Sequence, residues 1–262
     1  MTRLDLELVN RNVFETRNKS QNEIKKGIVY LNNKCITKPS FDVDEKDNIE
    51  IKGEILKYVS RGGLKLERAV NEFNIDLKDK IMLDIGSSTG GFTDCACQFG
   101  IGKVYAIDVG SNQFSDKLKN NNKIILMENT DFRNIDENII KDSEICTIEV
   151  SFISVTKLID KINKLNLKEI ICLIKPQFEC GKEMADKYKG VPLNKEIHFD
   201  VINKVVNSFK KSNYYLNGLT NSPIKGGNGN IEYLAYFTKH NCNININYND
   251  IIDKTFKNMK NT

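Results

Sequence analysis

The stretch Ile81-Met-Leu-Asp84-Ile-Gly86-Ser-Ser-Thr-Gly90-Gly91-Phe92 constrains the fold more than any other. An apolar run ends on an acidic residue, and a glycine-rich turn then opens a helix over 92–99. Glycines at that place let backbone approach a ligand at the carboxyl end of a parallel strand. The Gly-x-x-x-Gly-Gly spacing is not the Gly-x-Gly-x-x-Gly of pyrophosphate-binding folds, and no Lys-Ser or Lys-Thr follows as in a phosphate-cradling loop. Further on, Lys103-Val-Tyr-Ala-Ile-Asp108 reads as a second strand ending on a carboxylate. An acidic side chain there can accept both hydroxyl protons of a ribose. The pair suits a nucleoside without a pyrophosphate, and S-adenosylmethionine fits best.

The 262 residues leave room for one full domain and a small companion. No run approaches the length of a membrane span, and the charged start Met1-Thr-Arg-Leu-Asp5 does not read as a signal peptide. Seven cysteines, an odd number with no Cys-x-x-Cys pair, point to a reducing, cytoplasmic setting. His198 and His240 are the only histidines and fall in plain scaffold, so neither a metal site nor a histidine-based nucleophile is expected. Any catalysis must use lysines and carboxylates. Residues 1–40 hold eight Lys/Arg against four Asp/Glu, which accounts for the whole net charge of +4. A basic excess confined to one end suggests an arm that meets nucleic acid.

Residues 3–27 read as two short helices, with Thr16 capping the second and Gly27 ending it. Arg3, Arg11, Arg17, Lys19, Lys25 and Lys26 are its candidate RNA-binding residues. Ile28 to Ile36 reads as a hairpin turning at Asn32-Asn33, and 48–52 as a further strand. The Arg-Leu-Asp opening, Gly27-Ile-Val-Tyr-Leu-Asn32 and Lys38-Pro39 resemble the ribosomal-protein-S4-like RNA-binding domain, whose paired helices lie against the phosphate backbone. After a connection at 54–60, a helix carries apolar residues at 66, 69, 70 and 73, with Lys65 off that stripe. A third strand, 123–127, is followed by Asp131. A fourth ends on Glu149 and a fifth, 170–174, on Lys175. A lysine closing a buried strand is costly unless it faces a functional cleft. A helix over 195–211 precedes a last strand that Glu232 enters. Strands alternating with helices give a doubly wound, Rossmann-like α/β sheet. The tail, 241–262, places Tyr248, Ile252, Phe256 and Met259 at helical spacing, suiting either a docked helix or a mobile end.

With Tyr58-Val-Ser-Arg-Gly-Gly63, Ser88-Thr-Gly-Gly-Phe-Thr93, Ser151-Phe-Ile-Ser154, Lys175-Pro-Gln-Phe-Glu179 and Gly229-Asn-Ile-Glu-Tyr233 in order, the chain resembles the haemolysin A (TlyA-type) ribosomal RNA 2′-O-methyltransferases. The resemblance runs from about Arg3 to Phe237 and implies an S4-like domain at 1–53, a linker at 54–60, an FtsJ-like catalytic domain at 61–240 and a tail at 241–262. It also implies methyl transfer from S-adenosylmethionine to cytidine riboses of ribosomal RNA, in free or subunit form, without metal or membrane. It does not fix an oligomeric state. The family's Lys-Asp-Lys-Glu tetrad maps onto Lys65, Glu149, Lys175 and Glu232, with Glu149 departing from the family's Asp. Asp84, Gly86, Ser88 and Gly90 are expected around the cofactor's methionine and ribose, Asp108 at the ribose hydroxyls, and Asp131, where relatives carry Asn, at the adenine.

A ribose hydroxyl is a weak nucleophile until deprotonated, and a free lysine, with a pKa near ~10.4, is too protonated to act as base at neutral pH. Burial and a second cation can lower that value. On this logic Lys175 is the base, Lys65 perturbs it, and the two glutamates position them. The lysine-rich segment 181–190, beside the site, reads either as a mobile lid contacting RNA phosphates or as a plain solvated loop. Two other functions compete: an RNA-binding assembly protein with weakened methyl transfer, motivated by Glu149, and a membrane-active haemolysin.

Overall fold

The computed structural model describes residues 2–14, 16–53 and 56–259, so Glu54 and Ile55 of the expected linker and the last residues of the tail lie outside the described residues. The chain forms two compact units, 1–56 and 57–262.

In the first unit, β1 (Thr2–Arg3) leads into α1 (Leu4–Asn10), followed by α2 (Arg17–Lys25), β2 (Val29–Leu31), β3 (Lys34–Cys35), β4 (Asp42–Val43) and β5 (Ile49–Ile51). Thr16 caps α2 by accepting a hydrogen bond from the Lys19 amide at 3.2 Å. The β2–β3 turn uses Asn32 and Asn33 at φ 48° and 67°, the left-handed pair that matches the twist of a two-residue hairpin. Leu4, Leu8, Phe14, Ile24, Val29, Leu31, Ile36 and Val43 close a small core between the helices and the strands.

The second unit runs α3 (Gly62–Glu72), β6 (Ile81–Ile85), α4 (Gly91–Gln98), β7 (Lys103–Ile107), α5 (Asp116–Lys119), β8 (Ile124–Met127), α6 (Glu137–Ile140), β9 (Ile145–Ile148), α7 (Ile159–Ile162), β10 (Glu169–Ile174), α8 (Pro176–Glu179), α9 (Lys182–Lys187), α10 (Lys195–Lys210), β11 (Tyr215–Asn221), β12 (Tyr233–Thr238) and α11 (Tyr248–Met259). Its sheet has the order β11-β12-β10-β9-β6-β7-β8. All neighbours are parallel except β12, which runs antiparallel to both β10 and β11. Strands β6, β9 and β10 are buried on both faces because helices cover both: α3 and α4 pack on one, α7 and α10 on the other. Connections leave β6 toward β7 on one side and reach β9 on the other. The crevice at their carboxyl ends is the switch point where ligands of such sheets bind.

Strand β11 carries Asn217 and Gly218 with a register shift between Leu216 and Gly218, which erases the alternation that would announce it in the sequence. The tail forms α11, whose Ile252 is 1% exposed and whose helix packs on α10 and β11. The side chain of Met259, expected on the same face, lies outside the described residues. Tyr58, expected in the connection, is buried in the second unit's core beneath α3.

Candidate active site

Two cavities open at the carboxyl ends of the parallel strands. The larger, about 490 Å³, is walled by Gly86, Asp108, Val109, Asp131, Arg133 and Phe152, among others. The smaller, about 350 Å³, is lined by Arg61, Lys65, Ser87, Lys175 and Lys225 with the 224–227 turn. Ser88, Glu149 and Ser151 line both, so the cavities meet at these three residues.

The glycine turn is shaped for close approach. Gly86 has φ 84°, and a Cβ there would stand 2.6 Å from the carbonyl oxygen of Glu149. Gly86→Ala is therefore expected to cost about 2–4 kcal/mol of stability, from strain and overpacking together, and to displace Glu149. Urea denaturation of both proteins checks this. The Ser88 amide donates to Asp108 Oδ2 at 2.7 Å, and the Gly110 amide to Asp108 Oδ1 at 2.7 Å. These bonds fix the carboxylate at the cavity wall with lone pairs to spare for a diol. Asp131 also lines this cavity, and its pairing with Arg133 (2.5 Å) holds its carboxyl below the usual range, leaving an acceptor.

Asp84 and Gly90 stand elsewhere. Asp84 is fully buried and accepts hydrogen bonds from Thr93 Oγ1 (2.6 Å) and Thr147 Oγ1 (2.8 Å). It pairs across the sheet with Thr147, so its side chain knits β6, β9 and α4 together behind the glycine turn instead of lining a cavity. Burial pushes its carboxyl up to about 6, against the two hydroxyl donors. Gly90 caps α4 at φ 87°, and its Cα faces Leu118 and Phe114.

The four tetrad positions converge although they are far apart in the chain. Lys65 comes from α3, Glu149 from the end of β9, Lys175 from the end of β10 and Glu232 from the approach to β12. Lys65 Nζ lies 2.6 Å from Glu149 Oε1 and 2.7 Å from Glu232 Oε2. Lys175 Nζ lies 3.7 Å from the same Glu149 oxygen and donates to Ser151 Oγ at 3.1 Å. Lys65, Lys175 and Glu232 are 6%, 7% and 3% exposed, so water does little to screen these charges. A Cβ on Gly226 would stand 2.2 Å from Glu232 Oε1, so a side chain there would displace this carboxylate from its place beneath the 224–227 turn.

The two ammonium groups are pushed apart. Burial depresses Lys175, and the charge of Lys65 adds to this; Glu149 and Glu232 offset it only in part. Burial acts on Lys65 too, but two close carboxylates outweigh it and its pKa is raised. The two lysines therefore differ in proton affinity, with Lys65 raised and Lys175 lowered.

Several lining residues carry no sequence expectation. Ser151, two residues after Glu149, accepts a hydrogen bond from Lys175. Val109, 71% exposed, follows Asp108 directly, a place where an apolar residue has no core to fill. Phe152 is 92% exposed at φ 65°, a strained conformation for an aromatic residue, with its ring 5.1 Å from that of Phe178. Its loop is pinned by buried Glu179, whose oxygens accept from Ser154 Oγ (2.6 Å) and the Val155 amide (2.7 Å). The candidate lid contains the short helix α9 between Gly181 and Gly190, both at positive φ.

In the first unit, Arg3 and Arg17 converge on buried Asp5. Arg11 is bound to Glu7 Oε1 (2.8 Å) and to the carbonyls of Asp44, Glu45 and Asp47, so it braces the 44–47 turn. Lys26 pairs with Glu23 at 2.7 Å, Lys25 is exposed, and Lys19 is half-buried on α2. Among the described residues no group of His, Cys, Asp and Glu is arranged to hold a metal ion, and no helix is long and apolar enough to cross a membrane.

The class of protein follows from this fold and from comparison with known proteins. Residues 58–239 match the FtsJ-like methyltransferase family and residues 2–49 match the S4 domain. The chain is 44% identical over 238 residues to the "Putative rRNA methyltransferase YqxC" of Bacillus subtilis, covering 89% of this chain and 84% of that protein. It is 38% identical over 250 residues to the 23S rRNA (cytidine-2′-O)-methyltransferase TlyA of Campylobacter jejuni, covering 88% and 98%. The solved structure of the "Putative hemolysin from Streptococcus thermophilus" matches with a TM-score of 0.76 at 35% identity, covering 99% and 97%. The chain belongs to the FtsJ-like methyltransferase family and is an enzyme of that class, carrying an S4 domain at its N-terminal side.

Proposed function

We propose that this enzyme transfers the methyl group of S-adenosylmethionine to a ribose 2′-hydroxyl of ribosomal RNA, on cytidine as in the relatives so named. The observation that carries the reading is the meeting of the two cavities at Ser88, Glu149 and Ser151, with Lys175 beside that junction. The larger cavity fits the donor: Asp108 would take the ribose hydroxyls, Asp131 the adenine amino group, and the Gly86 turn the methionine side, where no Cβ intrudes. When bound, S-adenosylmethionine supplies an electrophilic methyl group on a sulfonium.

The chain's own residues supply the rest. Lys175 Nζ, whose proton affinity is lowered by burial and by the neighbouring Lys65 cation, takes the proton of the hydroxyl. Lys65 stays protonated and binds both glutamates, holding Glu149 where it contacts Lys175. Arg61 and Lys225 at the mouth of the smaller cavity favour an anionic substrate, and the exposed ring of Phe152 offers a face to an unpaired base. In the S4 unit, Arg3, Arg17, Lys19, Lys25 and Lys26 are assigned to RNA phosphates and Arg11 to bracing the unit.

Glu149 motivates the competing reading of weakened chemistry. Its longer side chain still reaches both lysines, at 2.6 and 3.7 Å, which favours an active enzyme. A membrane-active role finds no apolar helix of spanning length among the described residues. Purified 30S and 50S subunits incubated with the enzyme and radiolabelled S-adenosylmethionine test the reading. Label in RNA at a 2′-O-methylated cytidine, found as resistance to alkaline hydrolysis, is expected; cofactor binding without transfer to either subunit would overturn it.

A further inference from the structure

In the S4 unit the buried residue Asp5 gathers the cationic side chains around it. Asp5 is 0% exposed, yet its carboxylate accepts four hydrogen bonds. Arg3 donates from Nε to Oδ1 and from Nη2 to Oδ2, both at 3.0 Å. Arg17 donates from Nε to the same Oδ2 at 3.0 Å, and Gln21 Nε2 does so at 2.6 Å. Thus two guanidinium groups share one carboxylate oxygen. Their side chains remain 41% and 49% exposed, with the other N–H groups of each fork unused by Asp5. Asp42, opposite Arg3 in the β1–β4 pair, attracts Arg3 more weakly and takes no hydrogen bond from it.

A carboxylate on α1 whose task was only to tie α1 to α2 could do so through Gln21 alone. Here it fixes the orientation of two long cations that would otherwise sample many rotamers at the surface and lose that freedom on binding. Two cations on one anion leave a local excess of positive charge, and fixed planar forks match phosphate oxygens bidentately.

We propose that Asp5 is a positioning residue for RNA binding: it holds Arg3 and Arg17 as one preset fork for the phosphodiester backbone. This rests on the RNA-binding reading above and adds to it. The sign of one substitution separates it from simple charge attraction. Asp5→Asn makes the unit more positive, so attraction alone predicts tighter binding, whereas loss of the preset fork predicts weaker binding.

The test uses the full chain and a fluorescein-labelled ribosomal RNA hairpin, with binding read by anisotropy between about 50 and 200 mM salt. Asp5→Asn and Arg17→Lys, which keeps the charge but not the fork, are each expected to weaken binding about tenfold and to flatten the salt slope by about one unit. In methyl transfer, KM for RNA should rise while kcat at saturating RNA stays within about twofold. Asp5→Asn binding as tightly as wild type, or more tightly, would overturn the proposal. Should that variant fail to fold, wild-type affinity in Arg17→Lys would do the same. If the Arg3→Ala/Arg17→Ala double variant binds RNA normally, the RNA-binding assignment of this surface falls with it. If the double variant loses binding while Asp5→Asn and Arg17→Lys keep it, only the role of Asp5 falls.

Discussion

Lys175→Ala is expected to lower single-turnover methyl transfer at neutral pH about 10³-fold, with S-adenosylmethionine affinity changed less than about threefold. The two parts of this expectation come from different places in the site. Lys175 lines the smaller cavity, not the larger one, so its removal leaves the donor's walls intact. It is 7% exposed, and burial beside Lys65 holds it below an ordinary lysine, which is what a base at neutral pH requires. Lys175→Arg should be nearly as inactive, because a guanidinium keeps its proton. Calorimetric titration of the cofactor beside a quench-flow assay separates binding from chemistry. Normal transfer in either variant would remove Lys175 from the base role.

Glu232→Ala is expected to have the largest effect on stability. Glu232 is 3% exposed and lies 2.7 Å from Lys65, in a cluster where two lysines share two carboxylates. Deleting one partner of a buried ion pair leaves uncompensated charge, at about 3–5 kcal/mol. For a unit of this size the melting temperature should fall by roughly 10 °C, measurable by calorimetry. Glu232→Gln, which still accepts a hydrogen bond from Lys65, should lose less stability. Activity should fall in both variants, since Lys65 would draw Glu149 away from Lys175. A melting temperature within about 2 °C of wild type for Glu232→Ala would mean that the cluster is not coupled as its distances indicate.

Much of the site was legible before any coordinates because its chemistry lies at strand ends. Asp108, Glu149 and Lys175 each close an apolar run, and a charge at such a position must face a crevice. Lys65 stands out for lying off an apolar helix stripe, and the structure turns it inward to two carboxylates. Asp84 misleads for a physical reason. In a parallel strand covered on both faces, apolar periodicity does not tell which side a residue takes, and only the pairing with Thr147 reveals it. Gly90 misleads because a left-handed φ and an open ligand wall both call for glycine. Arg11 looks like its basic neighbours until the 44–47 carbonyls, distant in sequence, come round to meet it. Phe152 lies in the Ser151-Phe-Ile-Ser154 motif but received no role there, and Val109 has no sequence signal, because exposure beside a cavity leaves none.

Two buried lysines divide the work: burial and the charge of Lys65 lower the proton affinity of Lys175, while two close carboxylates outweigh burial at Lys65. The pH dependence of single-turnover methyl transfer tests it most directly, in wild type and in Lys65→Met. For wild type the rate should rise with pH through one ionisation whose midpoint lies below the ordinary lysine value of ~10.4, because only deprotonated Lys175 accepts the hydroxyl proton. Without Lys65, the repulsion disappears and both glutamates are left to Lys175, so the midpoint should move to higher pH and the rate at neutral pH should drop. A midpoint that stays in place or moves down in Lys65→Met would contradict the account.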